Sequence, residues 1–236
     1  MIRAVAETGS TNVDLAAQLR SGERVAEGDW LVANRQSAGR GRQCRAWFDG
    51  AGNFMGSTVV CPGPGDPPAQ TLALLAGLAL YEAVLPLLPD PHGLSLKWPN
   101  DLLLGQAKLA GILLEREGDF VIVGVGVNLA AAPEVPGRAA VALSALGPAP
   151  DRDAFAESLA NAFDRELERW RTYGIGPLLR RWQSAAHPQG AALSVHETDG
   201  TVAMGTFAGL AEDGSLRLRL EDGTIRPIHA GDVSLG

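Results

Sequence analysis

Apolar and polar residues change rhythm several times along the chain, and each change marks an expected element. Residues 2–6 alternate as a short strand, and Ser10 with Thr11 supplies N-cap chemistry for a helix ending near residue 19, before Ser21-Gly22. Residues 30–34, apolar and partly β-branched, read as a second strand. Between residues 36 and 52 hydrophobic periodicity disappears and glycine and arginine take over. That predicts a long loop, and such loops inside compact domains are usually functional or disordered. Strand character returns over 53–60, a turn-rich link follows at 62–68, and 70–85 reads as an apolar helix. Three or four strands come next, at 94–98, 101–104, 108–117 and 120–128, with Gly105-Gln106 and Gly118-Asp119 as hairpin turns. Residues 130–150 are rich in proline, alanine and glycine and irregular. Phe155, Leu159, Phe163, Leu167 and Trp170 then share one helical face over 152–170, and 178–184 suits a shorter helix.

After His187-Pro188-Gln189-Gly190 the pattern changes again. Short strands alternate with Asp199-Gly200, Asp213-Gly214, Asp222-Gly223 and Gly231-Asp232, which predicts a small closed β-barrel. The expected organisation is an α+β domain over residues 1–188 and a β-barrel domain over 189–236. No internal repeat points to a solenoid.

Composition narrows the class. With 236 residues, 46% hydrophobic and 20% charged, the chain suits a globular fold with a sizeable core. Its net charge of -7 argues against general nucleic-acid binding but leaves room for a local basic pocket. Cys44 and Cys61 are too few for a disulfide framework and match no zinc spacing. The N-terminus lacks the apolar core of a signal peptide. The longest apolar stretch, residues 72–88, is interrupted by Gly77, Glu82 and Pro86, as in a buried helix rather than a membrane span. A cytoplasmic protein with neither membrane nor DNA as partner is expected.

Four segments could carry chemistry. In Gly39-Arg40-Gly41-Arg42-Gln43-Cys44-Arg45-Ala46-Trp47 three guanidinium forks stand among glycines, suiting phosphate or carboxylate, and Trp47 could close over a flat ring. A solvated arginine-rich loop or an RNA-binding segment is the plainer alternative. Lys97-Trp98-Pro99-Asn100-Asp101 and Lys108-Leu109-Ala110-Gly111 bring two ammonium groups toward strand backbone, where a lysine can neutralise charge developing on phosphate. Asp101 could hold magnesium or accept a proton from an incoming amine, or simply pair with Lys97. Gly124-Val125-Gly126-Val127-Asn128 is half of a dinucleotide fingerprint, but the remaining glycine is absent and Pro133 and Pro136 oppose the helix that must follow. Asn128 could read an adenine edge with its amide, or merely end a strand. Glu7-Thr8-Gly9-Ser10-Thr11-Asn12 could hydrogen-bond a small neutral polar group such as a ureido ring, or be a plain cap.

In this order the segments resemble the biotin–protein ligase family. The resemblance runs over the whole chain, including Glu115 and, in the tail, Gly214-Ser215-Leu216 and Gly231-Asp232-Val233. It implies a class II aminoacyl-tRNA synthetase-like mixed sheet flanked by helices, plus an SH3-like C-terminal barrel. It also implies two half-reactions: biotin, ATP and magnesium give biotinyl-5′-adenylate, and a lysine of a biotin carboxyl carrier domain of acetyl-CoA carboxylase or a related carboxylase then takes the biotinyl group. Carried over by position, Ser10, Thr11, Asn12, Gln36, Gly39, Arg40, Lys108 and Gly111 would line the biotin side. Arg42, Trp47, Lys97, Asn100 and Asn128 would meet ATP, with Arg40, Lys108 and Asp101 catalytic and Asp101 the candidate magnesium ligand. There is no room before Glu7 for a helix-turn-helix, so the ligase-only type is expected, as a homodimer. One departure stands out: the family loop commonly has Arg-Gly where this chain has Gln43-Cys44. The rivals are a lipoate or octanoate transferase of related fold and a non-catalytic biotin or nucleotide sensor.

Overall fold

The computed structural model describes residues 1–197 and 200–235, so Asp199, half of one expected turn, lies outside the described residues. Seven strands, β1 (Ile2–Thr8), β2 (Trp30–Gln36), β3 (Phe54–Val60), β4 (Leu94–Lys97), β5 (Asp101–Leu104), β6 (Ala107–Glu117) and β7 (Phe120–Val127), form one mixed sheet in the order β1-β2-β3-β7-β6-β5-β4. Only the β1–β2 pair is parallel, because helix α1 (Thr11–Arg20) carries the chain back between them. The β5–β6 and β6–β7 turns fall at Gly105 and Gly118, whose φ of 62° and 58° favours glycine.

The two faces are covered differently. Helices α2 (Leu72–Val84), α3 (Arg152–Tyr173) and α4 (Ile175–Ala185) pack on one face, where Val123, Val125 and Val127 of β7 meet Leu75, Phe155 and Phe163 in the main core. By length and composition the segment Ala69–Leu87 could cross a membrane, but α2 is buried among the sheet, α3 and α4. Between α3 and α4 the fully buried Glu166 is paired with Arg169 and Arg181, which such a charge requires. The other face carries α1 alone, through Leu15 on Leu31, Val59 and Ile122. Ser10 occupies the N-cap position of α1, but its side chain makes no capping bond. The hydroxyls there serve the site instead.

Strands β8 (Ala192–His196), β9 (Val202–Leu210), β10 (Leu216–Arg219), β11 (Ile225–Ile228) and β12 (Asp232–Leu235) form a second, antiparallel sheet in the order β11-β10-β9-β8-β12. It is sewn to the first by Trp98 Nε1 donating to Gly214 O at 3.0 Å and Lys97 Nζ to Val233 O at 3.1 Å. At this seam His187 is 6% exposed and packs edge-on against Phe207, ring centroids 4.5 Å apart. Burial, aided by Lys97, holds its pKa below the usual 6.5.

A histidine buried neutral opposes protonation, so the folded state binds fewer protons than the unfolded one as pH falls below 6.5. Stability from this site is complete above that value and declines below it. The His187→Phe variant is expected to lose less melting temperature between pH 7 and 5 than the parent; an identical acid-side fall in both would refute the assignment.

Candidate active site

The site is a hollow where the α1 face of the sheet runs out of side chains. Strand alternation places Val59 and Ile122 under Leu15. One rung on, Ser57 pairs with Gly124. The next rung crosses five strands as Met55, Gly126, Gly111, Asp101 and Lys97. Bulk thus falls from Val and Ile to Ser and Gly within two rungs, leaving a cavity of about 520 Å³.

Three glycines of this floor are sites of close approach. A Cβ on Gly126 would stand 2.3 Å from the Trp47 ring, one on Gly124 2.3 Å from Asn12 Oδ1, and one on Gly111 3.0 Å from Lys108 Nζ. The incomplete dinucleotide fingerprint therefore serves side-chain seating. Its glycines, with Ser57, are site residues that sequence reasoning did not assign; their alternate positions in β7 were the available signal.

At one end lies a neutral polar cluster. Gln36 Oε1 accepts from Thr11 N at 2.7 Å and from Thr11 Oγ1 at 3.0 Å. Ser57 Oγ lies 2.6 Å from Thr11 Oγ1 and donates to Asn12 Oδ1, also at 2.6 Å. Asn12 Nδ2 donates to Glu115 Oε2 at 2.6 Å. Ser10, Thr11, Asn12, Gln36 and Ser57 are all buried. The first turn of α1, whose Thr11 N–H is taken up by Gln36, opens on this cluster.

The charged groups stand at the other end. The register of β5 on β6 shifts between Leu102 and Leu103, so Leu109 and Ala110 both enter the core. This bulge turns Lys108 onto the face of Gly111, which strict alternation would have denied it. Lys108 Nζ lies 2.5 Å from Asp101 Oδ1 and 5.7 Å from the centre of the Trp47 ring. The Lys108 contact lacks hydrogen-bond alignment and acts as a charge contact. Lys97 Nζ lies 3.3 Å from Asp101 Oδ2, so both carboxylate oxygens face ammonium groups. No group of three His, Cys, Asp or Glu side chains able to hold a metal occurs among the described residues.

The arginine loop folds as a small ear, with Gly41 N donating to Arg45 O at 2.7 Å and Trp47 N to Gly39 O at 2.8 Å. Arg40, Arg42, Arg45 and Trp47 line the cavity, together with Arg138. Gln43 and Cys44 take φ of 55° and 57°, a left-handed conformation that costs a non-glycine residue roughly 1–2 kcal/mol. Glycine at position 44 would relieve that strain. Asn100 ties the ear to the sheet: its Nδ2 donates to Ile112 O at 2.6 Å and its Oδ1 accepts from Arg42 at 3.3 Å. Asn128 is buried, its Nδ2 committed to Val141 O at 3.2 Å and Lys108 O at 3.4 Å. Only its Oδ1, buried and unpartnered like Trp47 Nε1, is left for a ligand. Gly39 and Lys97 stand behind the cavity wall: Gly39 packs on the Gln36 amide and the Trp47 Cβ, and Lys97 backs Asp101.

Gly126→Val puts a branched side chain where the Trp47 indole lies. The ear is expected to detach, and trypsin cleavage at Arg40, Arg42 and Arg45 to become about tenfold faster, equivalent to about 1.4 kcal/mol of local stability. Unchanged protection would refute the seating role of Gly126.

Comparison with known proteins identifies the family. Residues 8–128 match the Biotin/lipoate A/B protein ligase family, and residues 195–236 match the Biotin protein ligase C terminal domain. The chain is 37% identical to the biotin–[acetyl-CoA-carboxylase] ligase of Paracoccus denitrificans, covering 98% of this chain and 99% of that protein. It is 36% identical to the ligase of the same name from Mycobacterium tuberculosis, covering 97% and 86%. Among solved structures, the biotin protein ligase of Aquifex aeolicus in complex with biotin and ATP superposes with a TM-score of 0.85 at 28% identity, covering 100% of this chain and 98% of that one. The chain belongs to the biotin protein ligase family.

Proposed function

We propose that this cavity activates biotin with ATP to biotinyl-5′-adenylate and passes the biotinyl group to a lysine of a carrier domain. The observation that carries this is one cavity with two unlike ends: the buried neutral cluster around Thr11, Asn12, Gln36 and Ser57, and Lys108 facing the arginine ear across a glycine floor. The neutral end suits a ureido ring, whose carbonyl and N–H groups need partners but no charge. Ser10, Arg40 and the Gly111 backbone complete the biotin side in this reading. At the cationic end a carboxylate must approach the α-phosphate, which sets like charges together. Arg40, Arg42 and Lys108 offset that repulsion. Asn128 Oδ1 would accept from the adenine amino group, and Trp47 would cover the adenylate.

The acceptor lysine must lose a proton before it attacks, which costs about 4–5 kcal/mol at pH 7 from a pKa near 10.4. Asp101, with an ammonium on each oxygen, is badly placed to take it. Its role in this reading is to hold Lys108 against the phosphate, with Lys97 behind. Magnesium that accompanies ATP is bound largely by phosphate oxygens, and no step is routed through it. The carrier domain of acetyl-CoA carboxylase as acceptor, a homodimeric assembly and a cytoplasmic setting belong to the same proposal.

Biotin-dependent exchange of pyrophosphate into ATP tests the activity. Exchange is expected with biotin; none with biotin would sink the reading, and exchange with lipoate alone would select a lipoate ligase. Binding of both ligands without exchange would select a sensor. Lys108→Ala is expected to slow adenylate formation by about 10²–10³-fold. Asp101→Asn should slow adenylate formation more than transfer from preformed adenylate. Equal losses in both half-reactions would restore Asp101 as the proton acceptor.

A further inference from the structure

The three arginines of the ear are held differently. Arg40 makes no ion pair among the described residues. Arg45 pairs directly with Asp232 Oδ2, at the start of β12 and 187 residues away in sequence. Arg42 donates to Gly231 O at 3.1 Å and stands 3.7 Å from Asp232 Oδ1, beyond hydrogen-bond reach. Asp232 itself is firmly placed: it pairs with His196 of β8, and the next residue, Val233, accepts from Lys97. Burial tends to raise the pKa of its carboxyl, but Arg45, Arg42 and Arg138 together pull it below the ordinary value. Asp232 is thus a fixed negative charge, presented by the second sheet to the mouth of a cavity on the first.

We propose that Asp232 is a positioning residue of the ligase, anchoring the ear through Arg45 so that Arg42 is turned toward the phosphates of ATP. The inference rests on the ligase reading. A loop with three like charges resists closure through repulsion and lost chain entropy. One carboxylate from a separate sheet offsets both. Its tight contact goes to Arg45 and its loose one to Arg42, so the Arg45 pair still holds the ear when a phosphate draws Arg42 from Asn100 and Gly231.

The test is a double-mutant cycle on the full-length protein, measuring biotin-dependent pyrophosphate exchange against ATP concentration. Asp232→Asn and Arg45→Gln are each expected to raise the KM for ATP about tenfold, with a smaller change in kcat. The double variant should be no worse than either single within about twofold, because both remove one interaction. Asp232→Glu should recover most of the affinity, which a merely structural role for the side chain would not produce. Losses that multiply in the double variant, or an Asp232→Asn variant with unchanged KM, would overturn the proposal. If Asp232→Asn does not fold, Arg45→Gln, in the partly exposed ear, still reports: an unchanged KM in that variant overturns it. Absence of exchange in the parent protein would instead defeat the ligase reading beneath it.

Discussion

A sheet packed on both faces leaves no room for a ligand unless part of one face is stripped of side chains. Here the stripping follows a single rung, Met55–Gly126–Gly111–Asp101–Lys97, and the rung beside it, Ser57–Gly124. Everything in the site depends on that missing bulk. Trp47 rests where Gly126 has no Cβ, Asn12 where Gly124 has none, and Lys108 where Gly111 has none. The opposite face of the same strands keeps its valines and seals the core against α2 and α3. One set of strands therefore serves as both foundation and floor.

The second constraint is charge. The chain is acidic overall, at -7, yet places Arg40, Arg42, Arg45, Arg138 and Lys108 around one cavity. Such a cluster needs counter-charge when no anionic ligand is bound. The two carboxylates that provide it, Asp101 and Asp232, come from different sheets. Asp101 pairs with lysines on the floor, and Asp232 pairs with arginines at the rim. This division separates the cation fixed by the sheet from those carried by the ear.

The elements legible in the sequence were those whose burial follows a simple period. The α3 stripe from Phe155 to Trp170, the apolar run of α2 and the alternating strands on either side of Gly105 and Gly118 all lie where the hydrophobic rhythm put them. Boundaries shifted where tertiary contacts decided: α3 extends to Tyr173 and α4 begins at Ile175, the two meeting at Gly174 with φ of 71°. The Ser10 cap failed as an expectation because the neighbouring Thr11 and Asn12 are drawn into the Gln36–Ser57 cluster, a contact between residues 25 to 46 positions apart.

By itself, the sequence determined the family, the order of the site segments and the residue types available for chemistry, because these are properties of local composition and spacing. Only the tertiary structure decided where those residues point. Lys108 reaches the floor through a bulge that breaks strand alternation, and no period reveals a bulge. Gly124 and Gly126 matter through side chains that arrive from residues 12 and 47. Asp101 meets two lysines because of strand register, and Asp232 meets the arginine ear because one sheet docks on another. Contacts between distant segments depend on how the sheets pack, and packing is not written in any single stretch of chain.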